Sequence, residues 1–108
     1  MRILARRTLR EFVRLRSGHR DQVALKAALD AWFDETRKAR GRSTADVKRR
    51  YATASVVAAE RIVFNIKGND YRLVVAVDFE KGIVWIKWLG THRDYDRIDA
   101  SEVEHERP

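Results

Sequence analysis

The sequence predicts an α+β fold in which two helices pack on one face of an antiparallel sheet. Apolar residues recur at helical spacing in the first 40 residues, and three β-rich runs separated by two tight turns follow between residues 61 and 89. Helices grouped before an antiparallel meander favour this two-layer arrangement. A chain of 108 residues has room for one modest core, so we expect a single domain over residues 1–108.

The N-terminal part is predicted to contain a short strand and a helical hairpin. Residues 1–5 read as a brief strand that pairs with a strand of the meander. Residues 6–16 have apolar side chains at helical spacing and end at Ser17-Gly18, a typical helix C-terminus. A second helix is expected over residues 21–39. Its apolar stripe consists of Leu25, Ala28, Leu29, Trp32 and Phe33.

The segment between the hairpin and the meander has a weaker pattern. Ser43-Thr44-Ala45-Asp46 resembles a capped helix start, and a short helix or turn is expected over residues 45–51. It carries the basic run Lys48-Arg49-Arg50. Residues 52–59 are small and weakly patterned, so no regular structure is predicted there.

The three strands of the meander are the secondary-structure elements that the local sequence pattern predicts most strongly. Its β-rich runs cover residues 61–67, 71–79 and 83–89, and the turns between them contain Gly68-Asn69-Asp70 and Glu80-Lys81-Gly82. Side chains alternate between the two faces of a strand. In the second run this alternation gives one core face, made of Tyr71, Leu73, Val75, Val77 and Phe79. In the third run it groups Ile83, Trp85, Lys87 and Leu89 on one face and Val84, Ile86, Trp88 and Gly90 on the other.

The polar segment after the meander is expected to carry functional side chains. Residues 91–96 read as a terminal turn or short helix at a strand end, where such sheets often place functional side chains. The helix-free sheet face, with its embedded basic residues, is expected to form a concave site. The polar residues 101–108 are expected to be a frayed tail.

Charge and composition narrow the class of partner. The net charge is +7, and residues 1–50 hold 15 lysine or arginine residues against 6 acidic ones, whereas residues 51–108 hold 8 against 10. This excess favours a polyanionic partner such as nucleic acid or the ribosome surface, although a solvated basic face or a docking face for an acidic protein would give the same charge. There is no cysteine, no apolar run of membrane-spanning length and no secretory signal pattern, so a cytoplasmic location is expected.

Two stretches resemble a known family. The run Tyr71-Arg72-Leu73-Val74 after a Gly-Asn turn, and the segment from Thr91 to Asp96 (THRDYD), resemble the HigB toxins, which belong to the RelE-like group of bacterial toxins. The order of the short strand, the helical hairpin and the meander is similar as well. The resemblance is most specific over the last 40 or so residues.

The resemblance implies a toxin of a type II toxin–antitoxin system. Such toxins are ribosome-dependent endoribonucleases that cut messenger RNA in the A site of the small ribosomal subunit. They form a hetero-oligomer with an antitoxin encoded next door, here a HigA-like protein with a helix-turn-helix domain. The implied cleavage needs no metal or cofactor, because the RNA 2′-hydroxyl attacks the adjacent phosphate.

The resemblance also assigns candidate catalytic residues. Arg72 matches a phosphate-binding arginine of the family, and a guanidinium fork suits two phosphate oxygens. His92 lies where related toxins carry a basic residue, and an imidazole can act as general acid or base near neutral pH. Tyr95 could stack on a base or donate to the phosphate. The alternatives are an exposed sheet arginine, a surface or capping histidine, and a tyrosine that packs against the sheet.

Further basic residues are candidates for RNA contacts. They are Lys67, Lys87, Arg93, Lys48, Arg49 and Arg50. Some RelE-like toxins carry paired lysines on the first meander strand, where this chain has Val63 and Asn65; this difference shifts the proton-transfer role towards His92. Asp94 and Asp96 could orient His92, or cap the terminal helix. One well-placed histidine with nearby aspartates is a poor ligand set, so no metal site is predicted.

Two other functions stay open at the level of sequence. A non-catalytic toxin of the same fold, such as the ParE-type toxins that inhibit gyrase, would not need Arg72 and His92 to converge. A general basic nucleic-acid-binding domain would need exposed aromatic platforms, and the aromatic residues here are expected to be mainly buried.

Overall fold

The computed structural model describes residues 1–40 and 42–104. These residues form five strands and four helices. In order they are β1 (Arg2–Leu4), α1 (Arg6–Leu15), α2 (Gln22–Lys38), α3 (Thr44–Arg50), β2 (Ser55–Ala58), β3 (Arg61–Ile66), β4 (Tyr71–Asp78), β5 (Ile83–Thr91) and α4 (His92–Tyr95). The predicted α+β class is confirmed, and the predicted helices and meander strands lie within one or two residues of their expected bounds.

The strands form one five-stranded sheet in the order β1-β5-β4-β3-β2. Strands β2 to β5 pair antiparallel, as a meander must, whereas β1 lies parallel to β5 with Ile3 beside Val84. The predicted pairing of the first strand with the meander is therefore confirmed. The parallel pair makes the sheet mixed.

The main core lies between the sheet and the helices α1 and α2. Leu25 and Leu29 are buried on the inner face of α2, and Trp32 packs edge-on against Phe64 of β3 with ring centroids 5.5 Å apart. The predicted core face of β4 is confirmed. Its residues Tyr71, Leu73, Val75 and Val77 are buried in this cluster, and Phe79 packs at its margin.

A β-bulge in β5 overturns the predicted faces of that strand. Val74 pairs with Trp88, but the next residue of β4, Val75, pairs with Ile86, so Lys87 is an extra residue. An extra residue reverses the alternation beyond it. Val84, Ile86 and Leu89 consequently all belong to the main core. The prediction that Leu89 shares a face with Ile83, Trp85 and Lys87 was wrong, because strict alternation assumes an unbroken ladder.

Strand β2 lies in the stretch for which no structure was predicted. Ser55 pairs with Val63 and Val56 with Ile62, and the register shifts before Ala58 pairs with Arg61. Small, weakly apolar side chains give little periodicity, so tertiary pairing with the edge of β3 determines this strand.

The second face of the sheet carries a smaller core beneath the C-terminal segment. Val63 and Val74 are buried there with Ala100, and Val103 packs beside them. Arg61 donates hydrogen bonds to the carbonyl oxygens of Ala100 and Val103 at 3.3 and 2.6 Å. Residues 101–104 therefore lie against the sheet, which differs from the frayed tail expected from residue 101. The remainder of that predicted tail, residues 105–108, falls outside the described residues.

One polar network joins the α1–α2 turn to the start of β4. The hydroxyl of Tyr71, a residue that is 1% exposed, donates a 2.6 Å hydrogen bond to Asp21. This hydrogen bond, with His19 and Arg16 nearby, lowers the pKa of Asp21. Burial, together with the same bond, raises the pKa of Tyr71 to about 12. The network anchors the helical hairpin one residue away from Arg72, on the opposite face of the sheet.

Replacing Tyr71 with phenylalanine is expected to lower the free energy of unfolding by about 1–3 kcal/mol near neutral pH, because the Asp21 carboxylate loses its donor. Since the pKa of Asp21 is lowered in the folded state, the contribution of this bond is present above the ordinary aspartate range and disappears as the pH falls through the folded value. Urea unfolding at neutral pH and near pH 3 tests this. A difference that stays constant into acid would contradict it. Tyr95→Phe is the control, with an expected change below about 0.5 kcal/mol.

Candidate functional site

Arg72 lies near the start of β4, with its guanidinium held by the β3–β4 turn. One nitrogen donates to the side-chain oxygen of Asn69 at 2.6 Å, and the other donates to the Asn69 carbonyl oxygen at 2.9 Å. These bonds fix the plane of the fork while all of its partners are neutral. Among the described residues, the partners of Arg72 include no carboxylate, so its charge is not neutralised by them, which suits it to an anionic ligand.

His92 is brought to Arg72 by the first turn of α4. The Thr91 hydroxyl caps this helix by accepting from the Asp94 N–H at 3.1 Å, and the His92 N–H donates to the Asp70 carbonyl oxygen at 2.9 Å. The second bond ties α4 to the same turn that holds Arg72. The His92 Nδ1 consequently lies 3.4 Å from an Arg72 nitrogen.

The environment of the His92 ring defines a tautomer. A guanidinium can only donate, so Nδ1 accepts from Arg72 and the neutral ring carries its proton on Nε2. The Asp96 carboxylate lies 3.7 Å from Nε2, which is too far for a good hydrogen bond. The side chain of His92 is 44% exposed and therefore open to a ligand.

An aromatic pair forms one wall of the site. The Tyr95 ring centroid lies 5.9 Å from the Arg72 guanidinium carbon and 6.2 Å from the Trp88 ring. Trp88 folds over Gly90, the residue that pairs with Arg72 across the sheet, and a Cβ at Gly90 would overlap the Trp88 ring. Because Gly90 has no side chain, the Trp88 ring can pack over the backbone beside Arg72.

The structure brings together the three residues predicted to be catalytic. Arg72, His92 and Tyr95 meet where β4 begins and α4 starts. Among the predicted RNA contacts, Lys67 lies in the adjoining turn and pairs with Asp70 at 2.8 Å, and Arg93 follows His92 in α4. These two residues border the site.

Lys87 lies further along β5 and has an internal partner. As the extra residue of the bulge, it pairs with Glu104 at 3.0 Å, and this hydrogen bond, with Arg61 nearby, lowers the pKa of the Glu104 carboxyl. The concave, helix-free sheet face expected from the sequence is thus partly covered, because the C-terminal segment occupies it next to Lys87.

The basic run Lys48-Arg49-Arg50 is not part of this cluster. It belongs to α3, which contacts β2 on the helix-bearing side of the sheet. Lys48 donates to the carbonyl oxygens of Ala52 and Ala54, and Arg49 pairs with Asp46. These residues therefore belong to a separate surface.

Sequence reasoning missed three residues that shape the site. Asn69 was interpreted only as a turn former, although it holds the guanidinium of Arg72. Trp88 was placed on a face by simple alternation, and the role of Gly90 depends on the tilt of the Trp88 ring. The adjacency of Asn69 and Arg72 across a tight turn was the one available signal, because such spacing allows a side chain to reach back to the turn.

Neither a metal-binding cluster nor a membrane-spanning helix occurs in the described residues. Residues 1–40 and 42–104 contain no group of three or more histidine, cysteine, aspartate or glutamate side chains placed to hold a metal ion. In the same part of the chain, every helix falls short of the length and hydropathy needed to cross a bilayer.

Comparison with known proteins identifies the family. No curated protein sequence matches the chain significantly. A family model described as HigB_toxin, the RelE-like toxic component of a toxin–antitoxin system, matches residues 25–98, which is more than half of the chain. The matched range includes the meander and the cluster of Arg72, His92 and Tyr95, so the resemblance inferred from the sequence is confirmed. The chain therefore belongs to the HigB_toxin family and is the RelE-like toxin component of a toxin–antitoxin system.

Proposed function

We propose that this toxin is a ribosome-dependent endoribonuclease that cuts messenger RNA and so blocks translation. The observation that supports this most is the 3.4 Å approach of Arg72 to His92 at the edge of an exposed, aromatic-walled surface. A phosphate-binding fork beside a titratable ring provides what transesterification at phosphorus requires, which is charge stabilisation and proton transfer.

Arg72 is proposed to bind the scissile phosphate. Its fork lies in a fixed plane on the Asn69 side chain and carbonyl, and its contact with His92 Nδ1 is long. Two guanidinium N–H groups can meet two non-bridging phosphate oxygens. As the 2′-hydroxyl attacks, negative charge grows on those oxygens, and a fixed guanidinium stabilises it without reorganising.

His92 is proposed to move the proton. In the neutral ring, binding of phosphate to Arg72 releases Nδ1, which can then accept the proton of the 2′-hydroxyl. In the protonated ring, an N–H can instead be donated to the departing 5′-oxygen. Both roles need a ring within hydrogen-bonding reach of a phosphate held by Arg72, and the 3.4 Å spacing between the two side chains supports this.

Tyr95 is proposed to position the RNA. Its ring packs beside Trp88 and faces the Arg72 guanidinium, so a base flanking the cleaved bond can stack on it. Lys67 and Arg93, which border the site, are proposed to contact neighbouring phosphates. Lys87 is proposed as a more distant contact to RNA. The predicted RNA contacts Lys48, Arg49 and Arg50 lie on the separate α3 surface and stay a prediction.

The proposed reaction requires neither a metal nor a cofactor, since the attacking group belongs to the RNA. The partner is proposed to be a HigA-like antitoxin with a helix-turn-helix domain, which forms a hetero-oligomer with the toxin. A target in the ribosomal A site places the protein in the cytoplasm.

The activity is tested by adding the purified chain to cell-free translation of a reporter messenger RNA. We expect reporter synthesis to stop and the messenger RNA to be cut only when ribosomes are present. A parallel supercoiling assay with gyrase covers the ParE-type alternative. Inhibition of gyrase with intact messenger RNA would replace the proposed function.

Replacing Asn69 with alanine is expected to reduce cleavage about tenfold, because the Arg72 fork loses its 2.6 Å side-chain anchor while keeping its charge. The loss should lie mainly in kcat, since misplacement affects the transition state more than the ground state. Single-turnover cleavage on programmed ribosomes measures it. Glu80→Ala, at an exposed position of the β4–β5 turn at the other end of β4, is the control. Equal activities for the two variants would contradict this role of Asn69.

A further inference from the structure

A cavity of about 500 Å³ lies between the helix-bearing face of the sheet and α3. Its floor consists of side chains of the main core: Ile62, Phe64, Val75, Val77 and Val84. Val47 and Tyr51 form the side that belongs to α3 and its C-cap. A volume of this size exceeds ordinary packing defects and matches pockets that take ligands or partner side chains.

The rim of this cavity is basic. Among the described residues that line the cavity, Arg40, Arg49 and Arg50 lie around the opening with one carboxylate, Asp46. That carboxylate pairs with Arg49. In the described part of the chain, Arg40 and Arg50 have no ion-pair partner. The opening therefore combines an apolar floor with an uncompensated positive rim.

We propose that this cavity is the docking site for the antitoxin, and that it takes a bulky apolar side chain from an acidic segment of that protein. The proposal rests on the function proposed above, because it assumes the antitoxin partner. A buried apolar pocket for an anchor side chain, surrounded by charges that pair at the rim, is the usual anatomy of a protein–protein hot spot.

The chemistry of the floor favours a protein over RNA as the occupant. Nucleic acid presents phosphates, which would meet the arginines, and bases, which stack on aromatic faces, whereas the floor is mostly aliphatic. The cavity also faces away from the proposed catalytic site, because Val75 and Val77 point to the opposite side of β4 from Arg72. The amine of Lys48 is already engaged by the carbonyl oxygens of Ala52 and Ala54, which leaves the α3 surface fewer free cations for phosphates.

The test is a calorimetric titration of the purified chain with the purified antitoxin encoded by the neighbouring gene. Val47→Trp fills the mouth of the cavity, and Arg40→Glu reverses one rim charge. Lys38→Glu is the matched control, because it makes the same charge change at an exposed position of α2 that does not line the cavity. Circular dichroism melting checks the fold of each variant. If Val47→Trp does not fold, the comparison of Arg40→Glu with Lys38→Glu decides.

We expect Kd to rise at least about tenfold for Val47→Trp and Arg40→Glu and less than about threefold for Lys38→Glu. Inhibition of cell-free translation by the free Val47→Trp variant should equal that of the wild type. Unchanged affinity, or equal weakening by Arg40→Glu and Lys38→Glu, would overturn the proposal. Lost translation inhibition with intact antitoxin binding would also overturn it and assign the surface to ribosomal RNA. A wild-type chain that leaves translation untouched counts against the proposed nuclease function instead, and the antitoxin titration stays informative.

Discussion

Replacing Arg72 with alanine is expected to lower messenger RNA cleavage at least about 100-fold, the usual cost of removing one preorganised group that stabilises transition-state charge. The guanidinium lies on the site surface, and its partners are the Asn69 side chain, backbone carbonyls and His92. The melting temperature should therefore change little. Cleavage is measured under single-turnover conditions on ribosomes paused with a codon in the A site.

Arg72→Lys tests whether Arg72 acts through its positive charge alone or also through the planar shape of its guanidinium group. A lysine keeps the positive charge but loses the planar fork, so we expect partial activity between the wild type and the alanine variant. Arg97→Ala, just beyond the exposed end of α4, is the matched control for loss of one positive charge and should retain activity. Full activity in Arg72→Ala would remove the phosphate-binding role from this residue.

Replacing His92 with alanine is expected to reduce cleavage by about 100-fold to 10,000-fold, the range that general acid–base groups contribute. If His92 transfers the proton, the wild-type rate should also depend on pH. His92→Asn keeps a side-chain oxygen that can accept from Arg72 but cannot titrate. We expect this variant to be slow and to lose that pH dependence.

The pH profile separates proton transfer from a purely structural role of His92. If the ring served only to hold Arg72, His92→Asn would restore most of the rate and leave the profile unchanged. That result would contradict proton transfer by His92 and move the role to another group. Tyr95→Phe, which keeps the stacking surface and removes the hydroxyl, serves as the comparison and should keep the wild-type pH profile.

Much of the fold could be predicted because local and tertiary preferences agree. The apolar stripe of α2 contains Leu25, Leu29 and Trp32, and all three are buried as its helical spacing predicts. Strand β4 follows strict alternation, so its core face was predicted correctly from Tyr71 to Val77. In both elements the spacing of the apolar residues in the sequence equals the structural repeat, which is about 3.6 residues per turn in a helix and two residues in a strand.

The errors occur where pairing between strands, and not local pattern, decides the structure. The bulge at Lys87 is set by the hydrogen-bonding register between β5 and β4. The residue types next to Lys87 do not indicate that the register shifts there. Strand β2 exists because the edge of β3 offers hydrogen-bonding partners to Ser55–Ala58. Both features depend on contacts that a single sequence does not contain.

The candidate site was predicted from a resemblance, and its geometry needed the structure. Arg72 and His92 are 20 residues apart in the chain, and only the antiparallel pairing of β4 with β5 brings them together. The supporting roles of Asn69 and Gly90 depend on side-chain directions that no spacing rule gives. The sequence thus predicted candidate reactive groups but not the residues that hold them.

Primer extension on messenger RNA from a cell-free translation reaction tests the proposed nuclease most directly. The reaction is run with and without ribosomes, and wild type is compared with Arg72→Ala and His92→Ala. We predict cuts within codons that need ribosomes and that disappear in both variants. Cuts that persist in both variants, or wild-type arrest of translation with intact messenger RNA, would contradict a nuclease centred on Arg72 and His92.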